Sequence, residues 1–226
     1  MFGFLNVYKP KGITSHDVVS ALRRITKVKQ IGHTGTLDPF AEGVLPICIG
    51  KATRLIEYLD DDKAYTGTIQ LGSSTTTYDL EGEEVNFSDK KVTLNEIEAA
   101  LDKFRGEIDQ LPPIYSAIKV NGKKLYEYAR EGKEVKIEPR RVNISKLEIL
   151  EYDETNRRLT LHIECSKGTY IRSIAHDLGT ELTTFGHLVK LVRVKAGMFE
   201  VNNAVSLEHI QTKEDVENVK KTLSEN

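Results

Sequence analysis

The chain predicts an α+β fold with a mixed, mostly antiparallel central sheet flanked by helices. Leu159, Leu161, Ile163 and Cys165 alternate with Thr160, His162 and Glu164, the two-residue period of a strand with one buried face. Helical periods such as Val18, Val19, Leu22 and Ile25 fall between such runs. No strand–helix–strand unit repeats at regular spacing, which argues against a parallel α/β sheet. No internal repeat, low-complexity run or linker interrupts the 226 residues, so a single domain over 1–226 is expected.

Taken in order, Phe2 to Tyr8 reads as a buried strand closed by Pro10-Lys11-Gly12, and Ser15 caps an amphipathic helix. A glycine-rich loop follows, then a strand from Val44 to Ile49. Gly50 to Leu59 fits a short helix with Leu55, Ile56 and Leu59 inward, and Ala64 to Leu71 is a strand rich in Tyr and Thr. Ser73 to Gly82 reads as a polar loop, and Thr93 caps a helix through Ile97, Leu101 and Phe104 that ends near Gly106. Pro112-Pro113 breaks the chain before a strand from Ile114 to Val120. Asn121-Gly122 marks a tight turn, and a short basic helix, Lys124 to Arg130, stops at Gly132. Val142 to Tyr152 and Arg158 to Cys165 form a hairpin. A helix from Tyr170 to Leu182, a strand from Leu188 to Val194 and a terminal helix capped by Ser206, about 206–226, complete the chain.

Composition excludes several classes. With 39% hydrophobic and 29% charged residues the chain is globular, and apolar runs such as Val44 to Ile49 fall far short of the ~20 residues that span a bilayer. The start, MFGFLNVYKPKG, lacks the basic flank and apolar core of a signal peptide. Cys48 and Cys165 read as buried reduced thiols, which suits the cytoplasm. No Cys/His cluster has zinc spacing, so no metal is expected. The net charge of −2 hides a strong polarity. Glu57 to Asp109 holds fourteen acids and five bases, whereas Tyr115 to Lys146 holds nine bases and four acids. Local fields of this kind steer a polyanion, although a solvated helix face with ion pairs reads equally from the residues.

The most informative segment is GHTGTLDPFAEGVLP, Gly32 to Pro46. Glycines at 32, 35 and 43 surround one carboxylate, Asp38, which precedes Pro39 and is biased toward an extended backbone. Such a loop can hold a lone catalytic carboxylate where a large substrate reaches it. Local chemistry equally allows Asp38 to cap a helix that begins at Pro39.

Five blocks occur together in order: this loop, GKATR, KAYTGTIQLG, YSAIKVNGKKLYEYAREG and CSKGTYIRSIAHDLG. With them the chain resembles the bacterial tRNA pseudouridine synthase B (TruB) family from about Phe4 to Glu208. The resemblance implies the pseudouridine synthase catalytic fold and the isomerisation of uridine 55 in the tRNA T loop, without cofactor or metal. It implies that Asp38 is the essential carboxylate, acting as a covalent nucleophile or by taking the 2′ proton to give a glycal. Arg172 matches the arginine that pairs with that aspartate. Tyr65 matches the tyrosine that stacks on the base and serves the C5 proton step. Tyr170 and Leu191 match residues lining the uracil pocket, and His33 the histidine that enters the T loop. The segment at about 114–141 matches a thumb-like insertion that closes over RNA, with Lys123, Lys124, Tyr126, Tyr128 and Arg130 as contacts. Arg54 and Lys11 are further candidate phosphate contacts.

The resemblance also implies a monomer acting on the T stem-loop in the cytoplasm, with no membrane partner. Family members usually continue into an RNA-binding PUA domain, which is expected to be missing or much reduced because the chain ends at Asn226. The Thr-rich stretch before Asp79 keeps the acidic end of the matching loop, with no role assigned. Two other functions fit the same residues: a T-loop-binding tRNA folding chaperone, and a guide-RNA-dependent pseudouridine synthase.

Overall fold

The computed structural model describes residues 1–116 and 119–220. Its first part runs β1 (Gly3–Lys9), α1 (Ser15–Thr26), β2 (Ile31–His33), β3 (Glu42–Ile49), a 3-10 helix (Gly50–Tyr58) and β4 (Lys63–Leu71). Next come β5 (Ser73–Thr75), β6 (Glu84–Phe87), α2 (Leu94–Leu101), β7 (Gly106–Gln110), β8 (Lys119–Val120), β9 (Lys123–Lys124) and α3 (Leu125–Arg130). The remainder is β10 (Arg140–Asp153), β11 (Arg158–Cys165), α4 (Ile171–Glu181), β12 (Gly186–Ala196), β13 (Phe199–Glu200), β14 (Val205–Ser206) and α5 (Lys213–Val219). The chain divides into two compact units, Met1–Tyr65 with Leu191–Asn226, and Thr66–Lys190. The main chain passes between them within β4 and within β12.

In the first unit β1 pairs antiparallel with β3 from Gly3↔Ile49 to Lys9↔Gly43, and parallel with β14. β2 adds antiparallel to β3, and β12 adds parallel to β3 at Val192↔Glu42 and Arg193↔Gly43. Phe4, Val44, Cys48, Ala52, Ala196 and Phe199 form one buried cluster, with Leu55, Ile56 and Leu59 packed against it. The predicted inward face of Gly50–Leu59 is therefore present, wound as a 3-10 helix. Burial pushes the Cys48 thiol up to about 12, which keeps it protonated and unreactive.

In the second unit β10 pairs antiparallel with β11 and with β7, a strand that carries no clear apolar period in sequence. Leu159, Leu161, Ile163 and Cys165 are all buried, as their alternation predicts. Thr93 caps α2 by accepting the Glu96 N–H. Asn121 and Gly122 both take positive φ, 52° and 78°, the signature of a type I′ turn joining β8 to β9. The mixed, mostly antiparallel α+β class is thus observed. No helix among the described residues is long and apolar enough to cross a membrane.

Several elements differ from expectation. Thr14, not Ser15, caps α1, through a capping box with Asp17, because the Ser15 hydroxyl is already engaged with Leu37. The expected loop Ser73–Gly82 begins as a buried strand, β5. The expected strand Ile114–Val120 is reduced to β8 on the described side, with Ala117 and Ile118 outside the described residues. Ser206 does not cap a helix over 206–226. The chain makes a 3-10 turn at Leu207–His209, and α5 starts only after Thr212, whose capping box with Asp215 supplies the N-terminal signal.

Glycine positions separate backbone strain from crowding. A Cβ on Gly43 (φ 114°) would meet the Arg193 carbonyl oxygen at 2.2 Å, so Gly43→Ala is expected to cost at least ~2 kcal/mol. Gly132→Ala, at φ 66° with nothing within 4 Å, is expected to cost only about 1 kcal/mol. Urea midpoints check the contrast, and equal losses would contradict it.

Candidate active site

The Asp38 loop connects β2 to β3, which are paired up to His33↔Ile47, with Thr34 N–H donating to the Pro46 carbonyl at 3.1 Å. Beyond that point the loop backbone has no strand partner and is satisfied by other groups. The Ser15 hydroxyl accepts the Leu37 N–H at 2.8 Å and donates to the Leu37 carbonyl at 3.0 Å. Gly12 N–H donates to the Pro39 carbonyl at 2.7 Å. Arg193 Nη2 donates to the Gly35 carbonyl at 3.1 Å and its Nε to the Val44 carbonyl at 2.8 Å. Leu37, Phe40 and Ala41 are buried while Asp38 is exposed, so a pinned backbone presents one carboxylate outward. No helix begins at Pro39. The Ala41 N–H closes a turn onto the Asp38 carbonyl at 2.9 Å, which removes the helix-cap reading of this aspartate.

Two buried cations frame this loop, and sequence reasoning did not single out either one's burial. Lys9 is fully buried at the end of β1 and donates to the Pro10 and Ile13 carbonyls at 2.8 and 2.7 Å. Burial lowers its pKa, while the nearby charges of Asp38 and Glu42 act in the opposite sense. Arg193 is also fully buried, on the same apolar alternation as Leu191. A cation on the apolar face of a strand was the available signal in both cases. His33 is half-buried, and its Nδ1 accepts the Gly35 N–H at 3.4 Å. Burial, then the Arg193 charge, lower its pKa, so it is a neutral ring at neutral pH, suited to stacking. Tyr65 on β4 and Leu191 on β12 are buried, and Arg54 is exposed on the 3-10 helix.

In the second unit Arg172 lies in the first turn of α4 and is buried. Its Nη1 donates to the Thr77 carbonyl and its Nη2 to the Tyr115 carbonyl, both at 3.1 Å, and Nη1 stands 4.0 Å from the Asp79 carboxylate. Asp79 is itself buried and accepts from the Thr77 hydroxyl at 2.6 Å and the Glu81 N–H at 3.0 Å. The Thr-rich loop therefore has a structural purpose: it carries a carboxylate beside Arg172. Its signal in sequence was a lone acid closing a run of threonines. Tyr170 precedes α4, and Gln110 at the end of β7 clamps its backbone, donating to its carbonyl at 3.1 Å and accepting its N–H at 2.8 Å. The Arg172 guanidinium stands 6.0 Å from the Tyr170 ring centroid.

The predicted basic segment brings its cations onto two tyrosines. Lys124 and Arg130 stand 5.5 and 5.0 Å from the Tyr126 ring, and Lys123 stands 5.0 Å from Tyr128. Lys123 also pairs with Glu131, as does Lys133, and these bonds hold the Glu131 carboxyl down to about 2. Among the described residues no group of three or more His, Cys, Asp or Glu side chains is placed to hold a metal ion.

The first unit thus holds an exposed carboxylate on a braced loop, and the second a buried arginine in the first turn of a helix. A chain in the crystal structure of a Cbf5-Nop10-Gar1 complex matches with TM-score 0.73 and 30% identity, over 92% of this chain and 53% of that one. The archaeal box H/ACA sRNP Nop10-Cbf5 complex contains another, at TM-score 0.70 and 27% identity, over 96% and 58%. The present chain thus spans little more than half the length of these structural neighbours. Residues 23–171 match the TruB family pseudouridylate synthase N-terminal domain, and residues 172–225 match the tRNA pseudouridylate synthase B C-terminal domain. The chain belongs to the TruB family of pseudouridylate synthases. The tRNA pseudouridine synthase B of Clostridium novyi (strain NT) is 50% identical over 94% of this chain and 73% of its own length. That of Staphylococcus haemolyticus (strain JCSC1435) is 47% identical over 92% and 70%.

The helix that carries Arg172 in its first turn also holds a pH-sensitive group. Burial pushes the Asp177 carboxyl from 3.8 up to about 6. The folded state therefore holds a proton that the unfolded chain releases, so this stability is present below pH ~4 and is lost as pH rises through ~6. Asp177→Asn cannot ionise, and the wild type is expected to lose about 1–2 kcal/mol relative to it between pH ~4 and ~7, allowing for solvent screening at a partly exposed group. Denaturant titrations at several pH values check this, and a pH-independent difference would contradict it.

Proposed function

We propose that this protein is a tRNA pseudouridine synthase that isomerises uridine 55 of the T loop, acting as a monomer without a guide RNA. The observation that carries the reading is the exposed Asp38 held between buried Leu37 and Phe40 on a loop braced at Gly35, Leu37 and Pro39. The identity to tRNA pseudouridine synthase B proteins over most of the chain supports the same substrate class.

A uridine inside a folded loop must leave its stack before a side chain reaches the sugar, at a cost of a few kcal/mol. Neutral His33 offers a stacking surface for the opened loop, and the Tyr126 and Tyr128 cation clusters offer phosphate and base contacts. With the nucleotide extruded, the N1–C1′ bond breaks with Asp38 acting at the sugar or on the base. The detached uracil turns and C5 bonds to C1′. The C5 proton is then lost, Tyr65 being the group assigned to it, and N1 gains a proton. Arg172 supplies a fixed positive charge, and Asp79 with the Thr77 and Tyr115 carbonyls prevents its guanidinium from rotating. The domain proposed for this chemistry spans the chain, with residues 114–141 as the RNA-closing insertion.

The test is tritium release from an unmodified tRNA transcript labelled at uridine C5. Purified protein alone is expected to release tritium, and Asp38→Asn to lower the rate at least ~1,000-fold while tRNA remains bound. Release only when a guide RNA is added would favour the guided reading. Binding without any release would leave a folding chaperone.

A further inference from the structure

Two rings of the second unit lie beside the Arg172 groups and have no work assigned to them. Tyr78 and His176 stack almost face to face, with centroids 3.8 Å apart and planes 8° from parallel. Both are half-buried. Burial, then the Asp177 charge, raise the Tyr78 pKa, and burial lowers that of His176, so both rings are neutral at neutral pH. The buried His176 Nδ1 has no hydrogen-bond partner among the described residues. His176 thus meets Tyr78 through its ring face and not through that nitrogen.

Arg172 and His176 are four residues apart on α4, so they share one face, one turn from each other. Arg172 donates to the Thr77 carbonyl at 3.1 Å and stands 4.0 Å from the Asp79 carboxylate, while His176 takes the ring of Tyr78 between them. Successive side chains of an extended chain point to opposite sides. Tyr78 and Asp79 nevertheless both turn to α4, and Tyr78 has φ 67°, in the left-handed region. A bulky residue persists there only where its surroundings over-determine it. Its N–H donates to the Thr75 carbonyl at 3.3 Å and its carbonyl accepts the Leu188 N–H at 2.9 Å, which ties the segment to β5 and β12. The stack is what ties residue 78 itself to α4. At 4.0 Å the Asp79 carboxylate is too far to hydrogen-bond Arg172, so the guanidinium takes its orientation from the Thr77 and Tyr115 carbonyls. Where Thr77 lies along α4 therefore matters to Arg172.

We propose that the Tyr78–His176 stack is a positioning device for the reaction, fixing residues 77–79 on α4 and so setting the direction of the Arg172 guanidinium. The inference rests on the role proposed for Arg172. Neither ring touches the reacting atoms in this account, and only their faces are needed.

The experiment measures single-turnover tritium release from C5-labelled tRNA with the full chain in excess, beside tRNA affinity and the urea midpoint. His176→Ala is expected to slow release about 10- to 100-fold, with tRNA affinity within about twofold of wild type. His176→Phe, which keeps a flat ring without nitrogens, and Tyr78→Phe are expected to stay within about threefold of the wild-type rate. Should His176→Ala fail to fold, Tyr78→Gly removes the ring while relieving the positive φ, and is expected to slow release to the same degree without a lower urea midpoint. The double variant Tyr78→Gly with His176→Ala is expected to be no slower than the slower single, since both remove one contact. Wild-type rates in His176→Ala or Tyr78→Gly, a loss confined to tRNA affinity, or a His176→Phe as slow as His176→Ala each overturn the proposal. Wild-type protein that releases no tritium defeats the functional reading itself.

Discussion

A loop that lifts one carboxylate out of a protein must have its own backbone satisfied, because buried N–H and C=O groups without partners cost as much as lost hydrogen bonds. In this chain that constraint shapes the first unit. The Leu37 peptide groups are bonded by a serine hydroxyl of α1, the Gly35 carbonyl by a guanidinium of β12, and the Pro39 carbonyl by the backbone of the β1–α1 turn. Three elements distant in sequence therefore converge on eight residues of loop. Gly43 belongs to the same arrangement, since only a residue without Cβ lets β3 pass this close to Arg193.

Buried charge is handled differently at the two arginines. Arg193 is placed among backbone carbonyls, a neutral cradle that fixes geometry. Arg172 has carbonyls and the Asp79 carboxylate, so its charge is both oriented and partly balanced. Lys9 follows the first pattern, with two carbonyl acceptors and the Asp38 and Glu42 charges nearby. The Asp38 and Glu42 charges oppose the lowering that burial imposes on the Lys9 pKa. The neutral ring of His33 beside Arg193 fits the same logic, because a second cation there would be repelled.

The basic insertion has a related economy. Lys124 and Arg130 both lie close to Tyr126, while Lys123 is shared between Tyr128 and Glu131. Long flexible cations held on aromatic faces keep less rotamer freedom than cations extended into water. Three of the nine bases counted in the sequence, Lys123, Lys124 and Arg130, are placed in this way.

Sequence by itself determined the strands with strict alternation, the helices with clear caps such as Thr93 and the Asn121-Gly122 turn, because these follow from interactions within a few residues. It also carried the family motifs in order, and with them the candidate residues. It could not assign the cap of α1 to Thr14, since Ser15 is equally good local chemistry and only Leu37, far along the chain, claims its hydroxyl. Nor could it show that Asp38 ends in a turn and not a helix cap, that β7 pairs with β10, or that Asp79 stands beside Arg172. Each of these depends on groups brought together from distant positions, where burial and the need to satisfy every polar atom override local preference.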